Sequence, residues 1–396
     1  MKVVHICLSG VVTDNFSYQD NLLSKYHVKL GYHVTFIASQ WEYNTKGILK
    51  PFEKNDYVND DGVKMIRLKM RGKDDFNKKY KRFYGLREAL EVEHPGIIFI
   101  HGCQFPDIDK VVNYLKKNIE VKVYIDNHAD FSNSATNWLS KNILHKILWK
   151  RCAQLIEPYT IKFYGVLPAR VDFLKNIYKL PAEKCELLVM GSDDERVLQA
   201  KRLEVRKKIR TSFNICDNDF LIITGGKIDL FKIQTLLLMQ AVKNIQNERV
   251  KLIVFGSVVP ELKDKINVLS DKTKVQYIGW IQSNDSYDYF AAADLAVFPG
   301  RHSVFWEQVV GQGIPMICKY WEGTTHVDLG GNVEFLKEDS VKEIKKKLEQ
   351  IINNPQQYNR MKSIAQEKGM KVFSYKEIAR RSIGGAEDDS CNYSGT

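Results

Sequence analysis

The sequence contains no run of about eighteen apolar residues, so no segment of it reads as a membrane-crossing helix. Its opening, Met1-Lys2-Val3-Val4-His5-Ile6, turns polar too soon for a secretory signal. The seven cysteines are odd in number and scattered. None stands in a C-x-x-C pair, and no H-E-x-x-H occurs, so reduced thiols are expected rather than disulfides or a zinc site. No G-x-G-x-x-G follows any strand-like run, which excludes a dinucleotide-binding first turn. The spacing G-x-x-x-x-G-K-[ST] of a phosphate loop is also missing. No internal repeat is found. These absences leave a cytoplasmic globular protein without a predicted metal or cofactor.

Hydrophobic content of 44% and charged content of 27% over 396 residues are ordinary for a soluble enzyme with two or three cores. The net charge of +11 is uneven. Residues 1–190 carry 29 Lys and Arg against 21 Asp and Glu, whereas the rest carry 30 against 27. A basic first half suits an anionic partner such as a phospholipid surface, and equally serves solubility.

The stretch Asp294 to Gly323 reads as strand, tight loop, helix, strand. Leu295 to Phe298 is apolar and is stopped by Pro299-Gly300. Ser303 is a predicted helix N-cap, Val304 opens an apolar helix face, and Glu307 lies within the first turns. Gly311 and Gly313 end the helix before Pro315 to Cys318. Loops at strand C-termini are where open α/β sheets bind ligands, and helix N-termini favour anions. Further upstream, the strand Phe220 to Thr224 leads into Gly225-Gly226-Lys227, with Lys232 five positions on. The glycines let backbone approach a diphosphate, and two ammonium groups neutralise it.

In residues 1–190 the unit of strand Lys2 to Leu8, loop with Gly10, helix Tyr18 to Leu30, Gly31 and strand His33 to Ala38 is a βαβ unit. Strands are also predicted at Val63 to Leu68, Gly96 to His101 and Val121 to Ile125; the last ends in Asp126-Asn127-His128. Lys78-Lys79-Tyr80-Lys81-Arg82-Phe83-Tyr84 interleaves cations with aromatics. It suits lipid headgroups or phosphate, and equally the solvated start of a helix. From Asn137 to Leu155, Trp138, Leu139, Ile143, Leu144, Ile147, Leu148 and Trp149 recur at helical spacing among Lys141, Lys146 and Lys150. Such a helix lies on a membrane or packs one face on a core. Charged helices are predicted at Glu195 to Arg210, Leu336 to Ile352 and Pro355 to Gly369, with a last helix at Phe373 to Ile383.

The segments FPGRHSVFWEQVVGQGIPMIC and GGKIDLFK, with the opening KVVHICLSG, together resemble glycosyltransferase family 4. That resemblance implies an α/β fold of GT-B type: two Rossmann-like doubly wound domains facing a central cleft. It assigns 1–190 to an acceptor domain, 191–370 to a nucleotide-sugar domain and 371–383 to a helix crossing back; residues 384–396, small, acidic and poor in apolar side chains, read from composition as a disordered tail. It implies a retaining glycosyltransferase using a nucleotide-sugar, a UDP-sugar by expectation. By resemblance Lys227 and Lys232 meet the diphosphate, Glu307 the ribose and His128 the donor sugar. Gly10, Gly226, His302, Ser303 and Val304 line the donor site, and Trp280 and Ile281 border the base. The family's first glutamate is replaced by Pro299, and the first loop holds Gly10 alone where a glycine pair is usual. No metal is implied. The implied acceptor is a bacterial surface glycan or lipid-linked intermediate at the inner face of the membrane, and nucleic acid is not an expected partner. A non-catalytic partner subunit, a sugar-binding protein and a UDP-sugar epimerase are the alternatives.

Overall fold

The structure is a computed structural model, and it describes residues 1–44, 48–72, 81–230 and 232–385. Part of the basic aromatic run, residues 78–80, and all of 386–396 lie outside the described residues. The chain forms two compact units, Met1–Val189 with the segment from Lys376, and Met190–Tyr375.

The first unit is built on one sheet whose strands are β1 (Lys2–Cys7), β2 (His33–Ser39), β5 (Asp56–Val58), β6 (Lys64–Leu68), β7 (Ile97–His101), β8 (Lys122–Asn127), β9 (Thr160–Gly165) and β10 (Cys185–Leu187). Their order is β10-β9-β8-β7-β1-β2-β6-β5, and only β5 runs antiparallel. The short strands β3 (Trp41–Tyr43) and β4 (Leu49–Pro51) pair separately. The sheet is parallel because helices such as Gln19–Lys29 cross between successive strands. Its central strands are therefore covered on both faces and read as apolar runs. Val3, Val4 and Ile6 are fully buried. From β1 the order departs in both directions, so the loops after β1, β7 and β8 emerge side by side at the switch point.

The second unit has six parallel strands: β11 (Phe220–Gly225), β12 (Val250–Phe255), β13 (Val275–Tyr277), β14 (Leu295–Phe298), β15 (Met316–Lys319) and β16 (Val333–Leu336). Their order is β13-β12-β11-β14-β15-β16. The switch point falls between β11 and β14, which pair Ile222 with Leu295 and Ile223 with Ala296. This register brings the loop after Gly225 beside the loop after Phe298.

Four expectations need correction. Val333 to Leu336 is an edge strand on β15, and the helix predicted from Leu336 starts at Val341, where Ser340 caps it through Glu343 N. Four residues joined directly to a charged helical run give too short a signal for a strand. The predicted helix Glu195–Arg210 is two, Asp194–Ala200 and Leu203–Ser212, with extended backbone at Arg202 between them. The helix Pro355–Phe373 runs past Gly369 and stays with the second unit as far as Tyr375, rather than leaving at 370. Ser192 N donates to Phe373 O and holds that end in place. The last helix, Tyr375–Ser382, accordingly begins after extended backbone at Ser374.

The apolar residues of 137–155 divide. Trp149 is buried and Leu144 and Leu148 pack on the core, while Trp138, Leu139, Ile143 and Ile147 are exposed beside Lys141 and Lys146. Ile143 and Ile147 lie on a π-helix, Ser140–Trp149, with Trp138 and Leu139 just before it, and it continues as the α-helix Lys150–Ile156. Among the described residues, no helix is long and apolar enough to cross a membrane.

Candidate functional site

At the switch point of the second unit, the loops after β11 and β14 enclose a hollow of about 30 Å³. Lys227, Lys232, Gly226, Arg301 and Ser303 line it, over a floor of Gly225 and Phe255. The floor explains the glycines. A Cβ at Gly225 would sit 2.1 Å from the Phe255 ring, and Gly226 has φ of +126°, a region only glycine enters freely. Gly256 also approaches backbone closely, since its Cβ would lie 1.9 Å from Gly226 O.

Three cations thus share one small space. Burial lowers the Lys232 ammonium from its ordinary value; Asp229 opposes that shift, while Arg301 and Lys227 add to it. Lys227 is 63% exposed and lies 3.5 Å from Asp229. Like charges held together at a glycine-lined strand end form a site for an anion carrying more than one charge. The sequence reading omits Arg301. Its signal is position alone, directly after Pro299-Gly300 at the end of a central strand.

Glu307 is not among the residues lining this hollow. It lies four positions beyond Ser303, on the helix Phe305–Gly311, and is fully buried. His302 Nε2 and His326 Nε2 each lie 2.8 Å from Glu307 Oε1. Burial alone would raise the carboxyl, but His302 and His326 outweigh it and hold it well below the usual carboxylate range. Glu307 Oε2 and His326 Nδ1 are buried with no hydrogen-bond partner. A buried carboxylate oxygen left unpaired costs roughly 1–3 kcal/mol, so a ligand hydroxyl donating to Oε2 would recover that energy. The three side chains place ligand atoms within 4.8 Å of one another and form a donor set able to hold a divalent cation. The 2.8 Å Nε2 to Oε1 separations are those of hydrogen bonds. Among the described residues, no other group of three such side chains is placed this way.

The other sequence-predicted residues fall in separate places. Ser303 lines the hollow and its Oγ accepts from Phe305 N at 3.2 Å. Val304 is half-buried beside it, and His302 turns to Glu307 instead of the hollow. Trp280 is 67% exposed and Ile281 is half-buried in the loop after β13; neither lines the hollow. Gly10 and His128 belong to the first unit. Gly10 is exposed past β1, with nothing nearer than 4.0 Å to an added Cβ. His128 follows β8, is 42% exposed, and places Nε2 3.3 Å from Asp126 Oδ2. The sequence reading omits His326, which lies nineteen residues from Glu307 and meets it only in the fold.

Residues 219–354, which hold this hollow and Glu307, match the family model Glycosyl transferases group 1. No curated protein is significantly similar in sequence. Among solved structures, the chain is similar to a glycosyltransferase from Rickettsia africae ESF-5 (TM-score 0.67, 13% identity, 96% of each chain). It is also similar to HepE from Anabaena, solved in complex with UDP (TM-score 0.66, 15% identity, 96% of this chain and 98% of that one). A third similar structure is WaaG, described as a glycosyltransferase involved in lipopolysaccharide biosynthesis (TM-score 0.66, 13% identity, 97% and 100%). At these identities the likeness is one of fold, two Rossmann-like units of the GT-B type.

Proposed function

We propose that the chain transfers a sugar from a nucleotide-sugar, a UDP-sugar, to a bacterial surface-glycan or lipid-linked acceptor with retention of configuration. The observation that carries the reading is the convergence of Lys227, Lys232 and Arg301 on one glycine-floored hollow at the switch point. There they stabilise charge growing on the leaving diphosphate, the contribution that usually dominates such chemistry. Glu307 Oε2 accepts from a ribose hydroxyl, and the hydrogen bonds from His302 and His326 hold the carboxylate ionised for it. Trp280 and Ile281 border the base, and His128 meets a hydroxyl of the donor sugar. The UDP bound by HepE supports the choice of nucleotide. The role of WaaG in lipopolysaccharide biosynthesis supports the class of acceptor.

The direct test incubates the protein with UDP-, GDP- and ADP-sugars and candidate glycan or lipid-linked acceptors. Release of UDP with transfer is expected. Interconversion of donor without acceptor would show an epimerase, and inertness toward every donor would show a non-catalytic partner, the reading that Pro299 favours in place of the first glutamate.

The ammonium and guanidinium groups take the place of a metal at the diphosphate. Transfer measured in EDTA is therefore expected to stay within about twofold of the untreated rate, since each tenfold of rate is about 1.4 kcal/mol and no such term is removed. A loss that added zinc or magnesium restores would contradict this and would direct attention to His302, Glu307 and His326.

The exposed Trp138, Leu139, Ile143 and Ile147, beside Lys141 and Lys146, are the first unit's contact with an anionic membrane surface on the cytoplasmic side. Apolar insertion combined with basic attraction holds such helices at lipid headgroups. Sedimentation with phosphatidylglycerol vesicles is expected to recover the protein at low salt and lose it at high salt. The double variant Trp138→Glu with Ile147→Glu should reduce recovery about tenfold or more, because each removed side chain forfeits roughly 1.5–3 kcal/mol of burial. Equal recovery of the variant would refute the contact.

A further inference from the structure

Beneath the candidate donor-sugar residue His128, a line of buried imidazoles crosses the first unit. His128 Nε2 is 3.3 Å from Asp126 Oδ2, and His101 Nδ1 is 3.0 Å from the same oxygen. His101 Nε2 lies 2.9 Å from His5 Nδ1, and His5 Nε2 lies 2.9 Å from His27 Nδ1. His27 Nε2 ends the line 2.9 Å from the carbonyl oxygen of Ala379 and 3.1 Å from Ser382 Oγ. His5, His27, His101 and Asp126 are all buried.

The protons can be counted from the closed end. A backbone carbonyl only accepts, and the Ser382 hydroxyl donates its own proton to that carbonyl at 2.8 Å, so both oxygens accept from His27 Nε2, which carries a proton. A neutral imidazole has one N–H, so His27 Nδ1 accepts and His5 Nε2 donates to it. By the same step His5 Nδ1 accepts, and His101 Nε2 donates. His101 Nδ1 then faces a carboxylate oxygen, and two acceptors cannot pair. Three rings that make four hydrogen bonds need four protons, one more than neutral rings hold. An imidazole ordinarily keeps a proton to about pH 6.5, against about 3.9 for aspartic acid, so the ring takes it. Asp126 is also held as a carboxylate. Burial would raise its carboxyl, but His128 and His101 bring it well below the usual range. Burial, His27 and His101 keep His5 neutral, and burial pushes His27 down to about 4. The other ionisable groups facing the line are Asp20 on the helix Gln19–Lys29, Cys7 on β1, Cys103 after β7, and Lys81, which donates to Ser9 O.

We infer that His101 is a buried imidazolium, fixed by the line Ala379–His27–His5–His101–Asp126, that keeps Asp126 a carboxylate, so that His128 donates inward to it through Nε2 and presents Nδ1 outward as an acceptor for a substrate hydroxyl. Asp126, His101, His5 and His27 are then positioning residues, acting through His128. The proton count stands without the proposed function; only the hydroxyl met by His128 rests on that reading.

The test is ¹⁵N NMR of the full chain labelled at its histidine rings, with resonances assigned by single His→Gln variants. At neutral pH, His101 is expected to carry protons on both nitrogens, and His5 and His27 on Nε2 alone. A neutral His101, or a proton on Nδ1 of His5 or His27, overturns the inference. In Asp126→Asn the His101 ring is expected to become neutral, because the amide supplies the missing proton. Transfer by that variant should fall about 100-fold in kcat, the order that misplacement of a reacting group costs, with KM changed less and the pH profile displaced. A neutral ring in the variant with unchanged kcat would sever the chain from His128. If the wild type moves no sugar, the proposed function fails, and the ring protonation states still decide the proton count.

Discussion

Lys232→Ala is expected to lower kcat for sugar transfer by about 10²–10³-fold, the usual cost of removing one group that meets charge developing in a transition state. The fold should not suffer. Lys232 is half-buried, and burial together with Arg301 and Lys227 already lowers its ammonium. Removing it relieves repulsion among three cations, so Tm should stay level or rise. This separation of activity from stability distinguishes a functional lysine from a structural one. Lys227→Ala should cost less, because that side chain is 63% exposed and shares its charge with Asp229 at 3.5 Å. Steady-state kinetics with a saturating donor, paired with a melting curve, checks both. A kcat within a few-fold of wild type for Lys232→Ala would remove the diphosphate role.

Gly256→Ala is expected to produce the largest loss of stability among single methyl additions near the site. Its φ is +131°, a region costing a non-glycine residue roughly 1–3 kcal/mol. The new Cβ would lie 1.9 Å from Gly226 O and 2.7 Å from Gly226 C, and backbone cannot swing aside as a lysine tip can. The sum is about 3 kcal/mol or more, or roughly a 10 °C drop in Tm. Because Gly226 lines the hollow, nucleotide affinity should fall with it. Gly279→Ala is the matched control. It has φ of +79° with nothing within 4 Å of the added carbon, so strain alone remains. Equal melting temperatures for the two variants would show that the Gly226–Gly256 contact does not govern this corner of the sheet.

Much of the scaffold was legible because buried parallel strands are written as apolar runs with glycine or proline behind them. Lys2 to Cys7, Ile97 to His101 and Leu295 to Phe298 all read this way. The pairing of Lys227 with Lys232 was visible because both lie on one loop after one strand. What stayed hidden depends on contacts distant in sequence. Arg301 joins the lysines only because β14 lies beside β11. His326 reaches Glu307 Oε1 across nineteen residues, a pairing that no local pattern announces. The imidazole line joins residues 5, 27, 101, 126 and 379, and only the polarity of His5 within KVVHIC hinted at it. The strand Val333–Leu336 was lost because four residues beside a long charged helix carry too little pattern to be separated from it.

The central claim, that Lys227, Lys232 and Arg301 form a nucleoside-diphosphate site, is tested most directly by calorimetric titration of UDP and of uridine into the wild-type protein and the Lys227→Ala/Lys232→Ala pair. UDP should bind the wild type and lose at least about tenfold in affinity in the double variant, about 1.4 kcal/mol or more, while uridine should bind both weakly and alike. UDP binding that is absent, or that is indifferent to the two lysines, would contradict it.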